Sequence, residues 1–280
     1  MLSYRHHFHA GNFADVFKHF VLTQLVLSLH KKDTPYCYLD THAGSGLYDL
    51  HSAPAQKNHE YNDGILRLSK HPSLPSPISE FYKLVLAENE TGQMRFYPGS
   101  PRIVRQLLRA QDRMILTELH PSDFPVLKNG FAKDKQVTVL NSNGYQALNA
   151  LLPPKEKRGL VLCDPAFELK DERNRLIAAI STAYKKWATG MYAIWYPIQN
   201  RRETERLYSM IEQTGIRKIL VSELFVKAEA NTSPLSGNGM LIINPPWKFD
   251  ALLNDTLPWL SNTLALDSNA TSRVDWLVPE

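Results

Sequence analysis

The feature that most constrains the fold is a regular alternation of short apolar segments with segments long enough to form a helix. The apolar segments each fit one strand and lie at 36–40, 112–118, 136–140, 159–164, 191–197, 217–223 and 239–244. Alternation of this kind is typical of a mainly parallel sheet with right-handed helical crossovers. The sequence therefore predicts a doubly wound α/β fold with seven strands.

Composition bounds the class of protein. The 280 residues are 43% hydrophobic, enough to bury a full core. The net charge of +4 mildly favours a polyanionic partner, because Lys and Arg displace counterions from phosphates. Cys37 and Cys163 lie in apolar strands, as buried reduced thiols do. The longest apolar stretch, 20–29, is too short to cross a bilayer, so we predict a cytoplasmic protein without membrane contact.

The chain before the first strand divides into an arm and a helix. Residues 1–11 show no sustained periodicity and are predicted to be a mobile arm. Asn12 can cap a helix, with Asp15 three positions later, and apolar residues then repeat at helical spacing. Lys18 and His19 lie on this helix.

Histidines are concentrated near the N-terminus, at positions 6, 7, 9 and 19. A metal site usually adds paired cysteines or a carboxylate at a defined spacing, and neither accompanies them. Contacts to phosphate or to a cofactor explain the histidines better, so no metal is predicted.

An insertion interrupts the first strand–turn–helix unit. Residues 47–97 contain Pro72, Pro75 and Pro77, followed by an amphipathic helix. We therefore divide the chain into 1–46 (arm, helix and first strand), 47–97 (an inserted helical subdomain) and 98–280 (the remainder of the main domain). The helix that follows puts arginines 102, 105 and 109 on one face, where they could grip phosphates or be solvated.

Polar residues follow the first three strands in an order that suits a nucleoside. The first strand ends in a turn containing His42 and Gly44, where glycine lets a ligand approach the backbone, although a purely structural turn uses the same residues. Glu118 ends the second strand and can accept both ribose hydroxyls. Asn143 follows the third, and its amide oxygen can accept a proton of an adenine amino group. A dehydrogenase would place its acid about twenty residues after an uninterrupted glycine motif, so S-adenosylmethionine fits the pattern better.

The fourth strand delivers Asp164-Pro165-Ala166-Phe167. The Asp164 carboxylate and the Pro165 carbonyl can each accept one N–H of an adenine amine while Phe167 stacks on a flipped base. On its own, the motif is equally compatible with a capped turn and a core aromatic. The similar motif at 244–247 ends the seventh strand, which we predict to be antiparallel, so it points away from the crevice.

Longer strings resemble one family throughout, the large-subunit (23S) ribosomal RNA adenine-N6 methyltransferase J family. They lie at 1–6, 8–12, 38–44, 97–101, 116–123, 215–220, 243–248 and 278–280. The resemblance implies a Rossmann-like class I sheet and transfer of a methyl group from S-adenosylmethionine to a specific adenine of 23S rRNA. It also implies a monomer that acts on naked RNA, before ribosome assembly.

Residue roles follow from the motifs and the resemblance together. We assign catalysis to Asp164, Pro165 and Phe167. Cofactor binding is assigned to Lys18, His19, His42, Gly44, Ser100, Glu118, Asn143, Gly144 and Asp164. Substrate binding is assigned to Tyr4, Arg5, His6 and Phe167.

Two motifs depart from the family pattern, and two other functions stay open. The family usually has Asp-Pro-Pro-Tyr and Asp-Gly where this chain has Ala166, Phe167 and Asn143. Ala166 removes a constraint on the residue before it, so we expect activity with a less preorganised loop. The alternatives are a DNA adenine-N6 methyltransferase and a non-catalytic nucleic-acid-binding protein for the use of external DNA. A pure binding module has no reason to keep Glu118, Asn143 and Asp164 in strand order.

Overall fold

The computed structural model describes residues 4–89, 92–229 and 235–280. Its strands are β1 Cys37–Asp40, β2 Leu47–Asp49, β3 Phe96–Pro98, β4 Arg113–Glu118, β5 Val137–Asn141, β6 Gly159–Cys163, β7 Met191–Ile198, β8 Ile219–Phe225, β9 Gly237–Ile243 and β10 Thr271–Val278. Its α-helices are α1 Phe13–Leu29, α2 Ala53–Asn58, α3 Ile65–Leu68, α4 Ser76–Leu86, α5 Ser100–Leu107, α6 Asp123–Gly130, α7 Gly144–Leu151, α8 Glu172–Lys186, α9 Arg201–Glu212 and α10 Phe249–Leu264. The 3₁₀ turns are His6–Phe8 and Glu60–Asp63.

The main sheet has eight strands in the order β10-β8-β9-β7-β6-β1-β4-β5. Strands β5, β4, β1, β6 and β7 are parallel, whereas β9 is antiparallel to both β7 and β8. The predicted α/β class and the antiparallel seventh strand are confirmed. The predicted count of seven is wrong, because β10 adds an antiparallel edge strand. Half of the residues of this strand are polar and none is fully buried, so it lacks the continuous apolar signal of the others.

Helix α1 lies within the core. Asn12 caps it, with Oδ1 accepting from the Asp15 backbone N–H at 3.0 Å, as predicted. Nearly every later side chain of the helix is buried, because α1 packs between the sheet and helices α4 and α5. This position brings the first turns of α1 beneath the carboxyl ends of the parallel strands.

The insertion begins and ends in a two-stranded ladder in which Tyr48 of β2 pairs with Tyr97 of β3. Between these strands, Ile78, Phe81 and Val85 of α4 join the core cluster that contains α1. The insertion therefore packs directly on the helical layer of the sheet. Its treatment as a separate subdomain stays a prediction.

Two arginines of the predicted stripe after residue 100 form ion pairs within the protein. Arg105 forms an ion pair with Asp134, and Arg109 Nε lies 2.7 Å from Asp112 Oδ2. Arg109 also donates to the carbonyl oxygens of Lys32 at 3.0 Å and Thr34 at 3.1 Å, so these side chains tie α5 and the loop after it to neighbouring loops. Among the described residues, no helix is long and apolar enough to span a membrane.

Candidate active site

A cavity of about 680 Å³ opens at the carboxyl ends of the parallel strands. Residues that sequence analysis selected line it together: Tyr4, His6, Lys18, His19, His42, Gly44, Ser100, Glu118, Asn143, Gly144, Asp164, Pro165 and Phe167. Arg5 is the one selected residue that does not line it. The sheet topology thus gathers side chains that lie up to 163 positions apart along the chain.

Glu118 is fixed from two directions at the end of β4. Its Oε2 accepts from the Gly44 N–H at 2.7 Å, and its Oε1 accepts from the His120 N–H at 2.6 Å. Gly44 has a φ of +62°, a conformation that favours glycine. Burial raises the pKa of Glu118, whereas the two backbone N–H groups oppose that rise. The carboxylate is thereby oriented with lone pairs still free for ligand hydroxyl groups.

Asn143 is the N-cap of α7. Its Oδ1 accepts from the backbone N–H groups of Tyr145 at 3.0 Å and Gln146 at 3.3 Å. The oxygen that we expected to accept from an adenine amino group is therefore already used for capping. A Cβ on the following Gly144 would lie 2.2 Å from the Thr41 carbonyl oxygen, so glycine is needed for α7 to start this close to β1.

A buried carboxyl group that sequence analysis did not select, Asp40, supports the turn after β1. It accepts from the hydroxyl groups of Tyr38 at 2.8 Å and Ser100 at 2.7 Å, and from the His42 N–H at 3.2 Å. Burial raises the pKa of Asp40 to about 6. Burial also lowers the pKa of His42 to about 4, so its ring is neutral at pH 7. The acid at the last position of β1 was the signal that could have identified Asp40.

Lys18 lies between two carboxylates. Its Nζ is 2.9 Å from Asp15 Oδ1 and 2.6 Å from Asp164 Oδ2. Burial disfavours a charged lysine, but the two carboxylates outweigh it and raise the Lys18 pKa. The ammonium group therefore stays charged and holds one oxygen of Asp164.

The N-terminal arm is tied to the same ion pair. His6 Nε2 lies 2.8 Å from Asp15 Oδ2, and the Gly11 N–H donates to that oxygen at 2.9 Å. The Tyr4 hydroxyl lies 2.9 Å from His6 Nδ1. Although burial opposes it, the charges of His6 and Lys18 hold the Asp15 pKa well below its usual value. Sequence analysis predicted residues 1–11 to be a mobile arm. Of these, 1–3 lie outside the described residues, and His6–Phe8 form a 3₁₀ turn.

The other histidines have separate partners. His19 Nδ1 lies 2.8 Å from the Tyr97 hydroxyl, and burial lowers the His19 pKa well below its usual value. His9 Nδ1 lies 2.9 Å from Glu60 Oε1. The described part of the chain contains no group of three or more potential ligands arranged to hold a metal ion. The histidines are thus distributed over different contacts, and the prediction of a metal-free protein stays a prediction.

Phe167 adopts a left-handed backbone with a φ of +54°, which is uncommon for a bulky residue and typical of functional loops. Its ring centroid lies 6.0 Å from that of Trp195 on β7, and the Arg173 guanidinium lies 5.6 Å from its centre. The Trp195 Nε1–H donates to Asn238 Oδ1 at 3.0 Å. Trp195 and Arg173 line the cavity but were missed, because neither belongs to a recognisable motif.

The similar motif at 244–247 lies outside the cavity, as predicted. The Asn244 Nδ2 group donates to the carbonyl oxygens of Ala188 at 2.8 Å and Gly190 at 2.7 Å, beside the start of β7. Trp247 is 86% exposed, and residues 244–247 do not line the cavity. The antiparallel direction of β9 therefore removes this motif from the site.

Comparison with known proteins agrees with this arrangement. Residues 33–278 match the family described as Ribosomal RNA large subunit methyltransferase D, RlmJ. Proteins named Ribosomal RNA large subunit methyltransferase J from Haemophilus influenzae and Escherichia coli are 48% and 46% identical, each over the whole of both chains. A crystal structure of a Legionella pneumophila protein is 37% identical, with a TM-score of 0.88 over 96% of this chain and 98% of that one. The chain belongs to the RlmJ family of ribosomal RNA large subunit methyltransferases.

Proposed function

We propose that this protein transfers a methyl group from S-adenosylmethionine to the N6 amino group of a specific adenine in 23S rRNA. The observation that carries the proposal is the position of Asp164. It lies at the end of β6, held by Lys18 at 2.6 Å, in the same cavity as Glu118 and Asn143. The names of the relatives support ribosomal RNA as the substrate class.

The side chains present fit the cofactor. The Glu118 carboxylate, oriented by two backbone N–H groups, suits a pair of ribose hydroxyls. Gly144 keeps the start of α7 within reach of the turn after β1, and the cavity volume is typical of a ligand pocket. When bound, the cofactor supplies an electrophilic methyl group.

The chain's own contribution to the chemistry is to position and deprotonate the amine. Adenine N6 is a weak nucleophile because its lone pair is delocalised into the ring. Lys18 occupies Asp164 Oδ2, so Oδ1 is directed to accept one N–H of the substrate, and the Pro165 carbonyl can accept the other. With both N–H groups held, the nitrogen lone pair is free to point at the methyl group. Asp164 then accepts the proton that the nitrogen loses as the C–N bond forms.

Aromatic side chains supply the contacts for a flipped base. Phe167 offers a ring at the cavity wall, and base–aromatic stacking is worth about 1–3 kcal/mol. Trp195 lies beside it, as the second aromatic wall. Tyr4, Arg5 and His6 of the arm are the proposed contacts to the rest of the RNA.

The wider predictions belong to the same proposal. The substrate is the naked RNA before ribosome assembly, the enzyme is a monomer without a metal, and a ribosomal RNA substrate supports a cytoplasmic location. We also propose that residues 47–97 form an inserted subdomain, because the paired strands β2 and β3 lie at its two ends.

The test is transfer of labelled methyl groups to unmodified 23S rRNA, followed by digestion to nucleosides. Asp164→Asn keeps the shape of the side chain and removes its basicity, so we expect a loss of at least about 100-fold in turnover. Trp247→Ala, which changes an exposed side chain of the similar motif outside the cavity, is the control and should be as active as the wild type. Equal activity of the wild type and Asp164→Asn would refute the catalytic assignment.

Two further substrates separate the alternatives. Duplex DNA tests adenine methylation of DNA, and assembled ribosomal subunits test the timing. Methylation of DNA in preference to RNA would replace the proposed substrate. Binding of RNA without cofactor binding or methyl transfer would favour a non-catalytic binding protein.

A further inference from the structure

The amide of Asn143 has a defined orientation. Two backbone N–H groups, those of Tyr145 and Gln146, donate to one atom of its side chain, so that atom must be the oxygen. The Nδ2 group therefore points the other way, and it donates to no acceptor in the described ranges. Asn143 lines the cavity at the start of α7, so the surface that it offers to a ligand is an N–H donor.

This orientation matters because of the chemistry of adenine. The exocyclic amino group of adenine is a donor, whereas the ring nitrogens on either side of it are acceptors. A donor cannot pair with a donor, so an N–H of Asn143 can pair with a ring nitrogen and not with the amino group. An aspartate at the same position would keep one oxygen as the cap and turn a second, charged acceptor toward the ligand.

We propose that Asn143 determines which atoms of the cofactor's purine are recognised. Its Nδ2 donates to a ring nitrogen, and the 6-amino group is left without a charged acceptor. The inference rests on the proposed function, because it requires the cofactor's adenine to lie at the start of α7. It differs from the expectation from sequence, in which Asn143 recognises the amino group through its oxygen.

Binding measurements test the inference without any need for turnover. S-Adenosylhomocysteine and its analogue that lacks the 6-amino group are titrated by calorimetry into the full-length protein. For the wild type we expect Kd values within about threefold of each other, because the missing group has no strong partner. A hydrogen bond to a charged group is worth about 1.5–3 kcal/mol, or roughly 10- to 150-fold in affinity.

Two variants turn this expectation into a comparison. Asn143→Asp gains a charged acceptor, so it should bind S-adenosylhomocysteine more tightly than the wild type and should discriminate against the analogue by at least about tenfold. Asn143→Ser keeps an oxygen for the cap and loses the donor, so it should bind both ligands more weakly by the same factor. Unchanged thermal unfolding of both variants establishes that the cap is intact.

The outcomes are separable from failure of the proposed function. If the wild type does not bind S-adenosylhomocysteine, the proposed function fails. If it binds that ligand but loses tenfold or more with the analogue, the inference is wrong, because some acceptor then reads the amino group. Equal discrimination by the wild type and Asn143→Asp overturns it too, because the residue then does not face that edge of the purine.

Discussion

Replacing Lys18 with methionine tests whether the ion pair below Asp164 is a single electrostatic unit. Lys18 Nζ contacts Asp15 Oδ1 at 2.9 Å and Asp164 Oδ2 at 2.6 Å. Methionine has a similar length and is apolar, so Lys18→Met removes the charge with little change in volume. Two carboxylates are then left without their shared cation, and they differ in how far water can reach them.

The expected magnitude follows from that difference. The Asp15 side chain is 2% exposed, and that of Asp164 is 18% exposed. Asp164 can be rehydrated at the cavity, whereas the carboxylate of Asp15 keeps, among the described residues, His6 and the Gly11 N–H as partners. Removing one partner of a buried ion pair costs about 3–5 kcal/mol. For a chain of this size that corresponds to a fall of roughly 6–20 °C in the unfolding temperature.

A second substitution tests whether the unpaired charge of the Asp15 carboxylate causes the loss of stability. Asp15→Asn removes that charge and keeps an oxygen for the Gly11 N–H, so Asp15→Asn/Lys18→Met should regain about 2 kcal/mol relative to Lys18→Met. Methyl transfer should stay low in both variants, because neither restores the contact that orients Asp164. Stability is measured by thermal and urea unfolding without cofactor. If the double variant is no more stable than Lys18→Met, the unpaired Asp15 carboxylate is not the cause of the instability, and the reasoning is refuted.

Three other predictions test the surroundings of the site. Because burial raises the Asp40 pKa to about 6, this carboxyl group favours folding when it is protonated. Its contribution is lost as the pH rises from about 4 to above 6. Over that range the free energy of unfolding should therefore fall more steeply with rising pH for the wild type than for Asp40→Asn. Gly144→Ala places a Cβ 2.2 Å from the Thr41 carbonyl oxygen and should weaken cofactor binding in calorimetry, whereas Gly130→Ala, with no atom within 4 Å, should not. Ala166→Pro should preserve or raise turnover, since proline restricts the backbone of the preceding residue, and a large loss of kcat would contradict this account of the loop.

The strand ends explain why much of the site could be predicted from sequence. Glu118, Asn143 and Asp164 each follow an apolar strand, and parallel strands deliver their carboxyl ends to one edge of the sheet. The rejection of Asn244 followed from the same logic, because an antiparallel strand ends at the opposite edge. These conclusions need only the direction and order of strands, which hydrophobic pattern and chain connectivity determine.

What sequence could not give depends on side-chain geometry. Asp15 looked like part of a helix start, and its contacts with His6 and Lys18 appear only once the arm folds back along α1. The orientation of the Asn143 amide depends on where α7 begins, to within one residue. Trp195 lies in an apolar strand whose pattern does not reveal which side chains face the cavity.

The catalytic loop shows how such geometry alters an inference from sequence. The resemblance implies a proline where this chain has Ala166, and sequence analysis therefore predicted a looser loop. In the structure, the first turn of α8 holds the loop from its far end: Glu172 accepts from the Tyr145 hydroxyl on α7, and Arg173 lies over Phe167 while pairing with Glu203 of α9 at 3.2 Å. These contacts connect the loop to two helices and constrain it without a second proline. These contacts must stabilise a loop in which Phe167 has a left-handed backbone. The order of the loop therefore depends on α8 as much as on the residues of the motif.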